Sequence, residues 1–112
     1  MSFLKKLFGV GKDPTSYTFR LERAKELHGQ PVRYVTENRE GNEDVVGRGG
    51  HLTLKDDEFL LDTSGDTLFR CPVAELEAAY LMSGDGVILR GPNLLEGGRV
   101  RTLTVHFVYY RK

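Results

Sequence analysis

Cysteine occurs once in this chain and tryptophan not at all. The lone Cys71 excludes a disulfide framework within the chain and suits a reducing compartment, so the expected location is the cytoplasm. No apolar run approaches the length of a membrane-spanning helix. Sixteen basic side chains are cancelled by sixteen acidic ones, which leaves no whole-molecule field to attract a polyanion; nucleic acid is not an expected partner. Prolines number four against thirteen glycines, a balance that fits many tight turns between strands. The 112 residues suffice for one core without a disulfide or a metal.

What is present is organised around Gly49 to Arg90, where short apolar segments alternate with turn residues: His51 to Leu54, Glu58 to Asp62, Thr67 to Cys71, Glu77 to Met82 and Val87 to Arg90. That pattern predicts an antiparallel meander. Asp56-Asp57, Ser64-Gly65-Asp66 and Ser83-Gly84-Asp85-Gly86 supply its turns, and Pro72 breaks the ladder so that Val73 and Leu76 drop inward. Upstream, Pro31 to Glu37 reads as a strand, a polar turn follows, and Val45 to Gly47 resume it. Gly49-Gly50 then read as a bulge or bend, the device by which a small sheet curls towards closure. Leu103, Val105, Phe107 and Tyr109 alternate with polar partners in the last strand. The expected core is Val32, Tyr34, Leu52, Leu54, Phe59, Leu61, Leu68, Leu76, Leu81, Ile88, Leu103, Val105 and Phe107.

Two helical stretches precede the strands. Tyr17, Leu21, Ala24 and Leu27 recur with helical spacing, with Asp13 as the expected N-cap, Pro14 at the first helical position and Gly29 at the end. Before them Phe3, Leu4, Leu7 and Phe8 form one apolar stripe with Lys5 and Lys6 opposite. These first residues do not read as a secretory signal, since two lysines interrupt the apolar run, and Ser2 rules out the myristoylation pattern. Two units are therefore expected, an amphipathic segment at 1–12 and a β-rich domain at 13–112. The stripe has three candidate surfaces: the protein's own barrel, a sister subunit in a homo-oligomer, or an anionic membrane held weakly at its inner face.

The order strand, bend, strand, turn, strand, then a closing strand resembles the pleckstrin-homology-like superfold over residues 31–110. Gly50-His51-Leu52-Thr53-Leu54 and Pro72-Val73-Ala74-Glu75-Leu76 carry the likeness to its small bacterial and GRAM-like members. The resemblance implies a mainly β (α+β) fold: a seven-stranded, strongly bent antiparallel barrel, with the N-terminal helix covering the mouth that a C-terminal helix usually closes. It also implies a module that binds proteins or lipids. Inositide recognition is not expected, because Arg33 and Arg39 stand beside Glu37, Glu40, Glu43 and Asp44, where phosphates would meet carboxylates.

No set of acid, base, nucleophile or metal ligands stands out, so neither catalysis nor a cofactor is expected. His28, His51 and His106 have no short metal-ligand spacing, Asp56-Asp57-Glu58 reads as a solvated turn, and Gly11-Lys12-Asp13 lacks the hydroxyl of a phosphate-binding loop. Arg90, Arg99, Arg101 and Arg111 come from the last two strands and are candidates for a basic strip. The expected function is a non-enzymatic module that recruits a partner protein. Its rivals are a peripheral membrane adaptor anchored by Phe3, Leu4, Lys5, Lys6, Leu7 and Phe8, and a small-ligand-binding barrel or enzyme.

Overall fold

The computed structural model describes residues 16–108. Its single helix, α1 (Tyr17–Leu27), is built from good helix formers and starts at Ser16, whose hydroxyl accepts from the amide of Phe19 at 3.1 Å. Ser16 rather than Asp13 is thus the cap. Asp13 and Pro14 lie outside the described residues, as does the 1–12 segment with its Phe3 to Phe8 stripe. Gly29, at φ +86°, turns the chain out of the helix, and its amide donates to Leu52 O at 2.8 Å.

Eight strands follow: β1 (Tyr34–Arg39), β2 (Asn42–Arg48), β3 (Gly50–Lys55), β4 (Glu58–Thr63), β5 (Asp66–Pro72), β6 (Glu77–Tyr80), β7 (Gly86–Asn93) and β8 (Arg99–His106). They form two antiparallel sheets, one of order β2-β1-β8-β7-β6 and one of order β3-β4-β5. The count is eight where seven were expected, and Gly49-Gly50 were expected as a bulge or bend in the sheet. The bend is sharper than that, because Gly49 and Gly50 both have positive φ and a Cβ at Gly50 would overlap the carbonyl of Asp62, so the two halves pair in different sheets. The chain passes between the sheets a second time through a 3-10 turn at Val73–Glu75, where Val73 and Leu76 are buried as expected from Pro72. A second such turn, Leu94–Glu96, joins β7 to β8.

The core lies between the sheets and under α1. Phe59, Phe69, Leu27, Leu52, Leu61, Leu76, Leu89, Leu103, Val35, Val73, Val87 and Val105 are the largest fully buried side chains. Six expected core residues fall short of full burial, although Leu54, Leu68 and Phe107 still pack against the core. Ile88 faces out, since the register pairs Val87 with Val105 and Leu89 with Leu103 and so turns the intervening side chain to the other face. Phe69 takes the interior position on β5 and leaves Leu68 half-buried, a switch that accompanies the register shift at Leu61/Asp62. Val35, opposite Val105, replaces Tyr34, which stacks on His106 instead. Leu54, Leu81 and Phe107 are half-buried.

The helix and the turn that follows it are bonded to both sheets. On one side the backbones of Gly29 and Gln30 exchange hydrogen bonds with Leu52 of β3 at 2.8 and 3.0 Å. On the other, Arg20 and Arg23 reach the edge of the five-stranded sheet, with Arg20 Nη1 donating to Leu76 O at 2.7 Å and Arg23 Nη1 to Ala78 O at 2.9 Å.

Candidate functional site

Between α1 and the β6-β7 hairpin lies a groove of about 440 Å³, lined by Phe19, Arg20, Arg23, Leu76, Glu77, Ala78, Ala79, Ile88 and Arg90. Each wall follows from a local pattern. Phe19, Arg20 and Arg23 share one side of the helix, and the i, i+4 pair stacks, with the Arg23 guanidinium 5.1 Å from the Phe19 ring centroid. Arg23 also lies 4.8 Å from the centroid of Tyr80, so it is held between two rings and a carbonyl. On the sheet, Glu77 pairs with Arg90 and Ala79 with Ile88, which sets these four side chains on the outer face. The Arg90–Glu77 ion pair is loose, at 3.6 Å with both side chains more than half exposed, and contributes little to stability.

The backbone geometry explains why the arginines point where they do. In the β6-β7 ladder Leu81 N donates to Gly86 O, so by the two-residue alternation Ala78 and Tyr80 turn their backbone groups away from β7. An edge with unbonded carbonyls invites another strand. Arg20 and Arg23 occupy the carbonyls of Leu76 and Ala78, so the edge is sealed by side chains from the helix.

A second, polar cleft of about 550 Å³ is bordered by Glu37, Arg39, Glu96, Arg99 and Arg101. Here Glu37 accepts from Arg101 through both oxygens, at 2.8 and 3.0 Å, and from Arg39 at 3.0 Å. The Arg101 bonds hold the Glu37 carboxyl below the usual range, and the same pair raises Arg101. Glu37 and Arg101 side chains are only 13% and 10% exposed, so this cleft is floored by an ion pair that is already satisfied.

The expected basic strip is divided between these two clefts. Arg90 lies opposite Thr102 on the outer face, whereas Arg101 lies opposite Gly91 and Arg99 opposite Asn93, on the face that carries Leu103. Arg111 lies outside the described residues, as do Phe3, Leu4, Lys5, Lys6, Leu7 and Phe8. The three histidines stand apart from one another. His28 Nδ1 accepts from Leu54 N, His51 approaches Asp62, and His106 contacts Thr36 and Tyr34. Asp57 and Glu58 take part in folding contacts, with Tyr17 and Arg70. Among the described residues no three His, Cys, Asp or Glu side chains gather as a metal-binding group. Cys71 is fully buried, its thiol is pushed up to about 12 by burial, and it donates to Pro72 O, so it has the environment of a packing residue.

Arg20, Arg23 and Phe19 did not stand out in the sequence, where the eye follows the stripe Tyr17, Leu21, Ala24, Leu27. The signal that could have found them is the Phe19/Arg23 spacing on an otherwise polar helix face. Compared with protein-family models, curated proteins and solved structures, the chain matches none.

Proposed function

We propose that this chain is a non-enzymatic binding module, a PH-like barrel that recruits a partner protein at the groove between α1 and the β6-β7 hairpin. The observation that carries the reading is the groove itself. It places the half-buried Phe19 ring and exposed apolar surface from Ala79 and Ile88 among three arginines on a rigid frame of helix and sheet. A concave, largely apolar surface with a few oriented polar groups is the usual form of a recognition site, and aromatic and arginine side chains are the ones that dominate binding energy there. The two bent passages of the chain between antiparallel sheets, and the helix laid across their edges, support the barrel reading. Against catalysis stand the buried, high-pKa Cys71 and the separation of the histidines.

Photo-crosslinking tests the reading. A benzoylphenylalanine placed at Ala79 or Ile88 in cells is expected to give one discrete protein adduct, and the same group at Lys55, on the three-stranded sheet, none. Adducts of equal yield from both faces, or none from the groove, would remove the groove as the partner site.

A further inference from the structure

We infer that the groove selects a partner segment in which a carboxylate side chain adjoins a bulky apolar one; this rests on the partner-binding reading above and names the chemistry of the partner. Three guanidinium groups, from Arg20, Arg23 and Arg90, line the groove, and two carboxylates stand beside them: Glu77 in the lining and Glu26, 3.4 Å from Arg23 Nε. Cations outnumber carboxylates there by three to two, although the chain as a whole is neutral. A neutral protein that gathers cations at one apolar depression complements an acidic and apolar partner.

The arginines are also oriented in advance. Arg23 is fixed by Ala78 O, by the Glu26 carboxylate and by the rings of Phe19 and Tyr80, so its guanidinium plane is set before a partner arrives. A guanidinium carries five N–H donors; Ala78 O takes one from Nη1 and Glu26 stands 3.4 Å from Nε, which leaves the Nη2 donors for an incoming carboxylate. Arg90 is held only by its loose contact with Glu77, which a better-placed carboxylate can displace. Beside these cations, Ile88 and Phe19 offer the surface for the neighbouring apolar side chain.

Other occupants fit less well. The chain's own Phe3 to Phe8 stripe carries Lys5 and Lys6, which would be brought against the same arginines. Addition of a strand to β6 is blocked, because Leu76 O and Ala78 O are already bonded and α1 runs beside that edge. Recognition is therefore by side chains, not by extension of the sheet.

The probe is a pool of end-blocked peptides of about ten residues in which Glu alternates with Val, Leu, Ile or Phe, measured by fluorescence anisotropy on the full chain. The matched pool with Gln for Glu should bind at least about tenfold more weakly, and about 0.5 M salt should weaken the acidic pool markedly. Arg90→Gln, on an exposed side chain outside the core, should lose affinity while keeping the wild-type melting temperature, and Arg23→Gln should lose more. Equal binding of the Glu and Gln pools, or binding unchanged in Arg90→Gln, overturns the inference. So does a wild type that ignores both pools but binds phosphatidylserine vesicles through the same arginines, which would make lipid the ligand. If the Ile88 crosslink still captures one partner while the acidic pool fails, the groove remains the partner site and only its acidic specificity falls.

Discussion

At the scale of single residues, side-chain direction decides most outcomes, and direction in a strand is set by register. Phe59 is fully buried between the sheets, and Phe59→Ala should cost about 3–5 kcal/mol. Phe107 is half-buried at the end of the last strand, so Phe107→Ala should cost roughly 1–2 kcal/mol, since less apolar area is lost. Urea titration of the two variants checks the order, and equal losses would contradict the packing described. The cluster at His106 makes a different prediction. The Thr36 hydroxyl donates to Glu43 at 2.6 Å, so it accepts from His106 Nε2 at 3.3 Å and keeps the ring proton there. Burial lowers the His106 pKa below its ordinary 6.5, with Glu43 opposing in part. The unfolded chain therefore binds a proton before the folded one does, and stability should decline as pH falls through about 6.5 and level off below the folded value. His106→Phe, which retains a ring against Tyr34, should flatten the change in urea midpoint between pH 7.5 and 5.5. Glu37 acts in a lower window. Its depressed pKa contributes stability above the ordinary 4.5 that is lost as pH falls further, so the two effects separate on a pH titration.

At the scale of elements, the strands were legible because apolar pairs and turn residues alternate along nearly the whole chain. Pro72 marked the turn that buries Val73 and Leu76, and Gly29 marked the end of α1. What sequence could not decide was the facing of consecutive apolar residues. Val87-Ile88-Leu89 satisfies either parity, and only pairing with Leu103 and Val105 settles that Ile88 is outside, where it lines the groove. The groove was hidden for the same reason that the basic strip was suggested. Arg20, Arg23 and Arg90 come together from elements remote in sequence, while Arg90 and Arg101, near in sequence, fall on opposite faces. The helix is more than a lid. Leu27→Ala should cost about 2–5 kcal/mol, because Leu27 is buried in the common core. Arg20→Gln/Arg23→Gln should uncover the carbonyls of β6 and promote edge-to-edge association, seen as larger species in light scattering at high concentration. A monomeric double variant at that concentration would show that the arginines are not what protects the edge.

At the scale of the whole molecule, the two sheets are tied by the bend at Gly49-Gly50, by the 3-10 turn after Pro72 and by the helix, which with the turn that follows it bonds to both. One core runs beneath all three ties, so unfolding should be a single transition. Circular dichroism of the helix and hydrogen exchange in each sheet should report the same midpoint. Gly50→Ala should shift them together, because the added methyl would strike the Asp62 carbonyl at the bend.

The pairing of β1 with β8 reaches beyond equilibrium. Tyr34 lies opposite His106 and Thr36 touches the same histidine across 70 residues of chain, so β1 waits for β8, the last of the described strands, before its second edge is covered. During synthesis at about 5–20 residues per second, β1 and β2 emerge as a hairpin with one side unpaired, and this arm is held open until β7 and β8 arrive. A topology that closes so late in the chain folds slowly, because the loop entropy must be met before the pairing rewards it. Nascent chains stalled before Arg99 should accordingly remain open to proteolysis between β1 and β2, with protection acquired abruptly once β8 has left the ribosome.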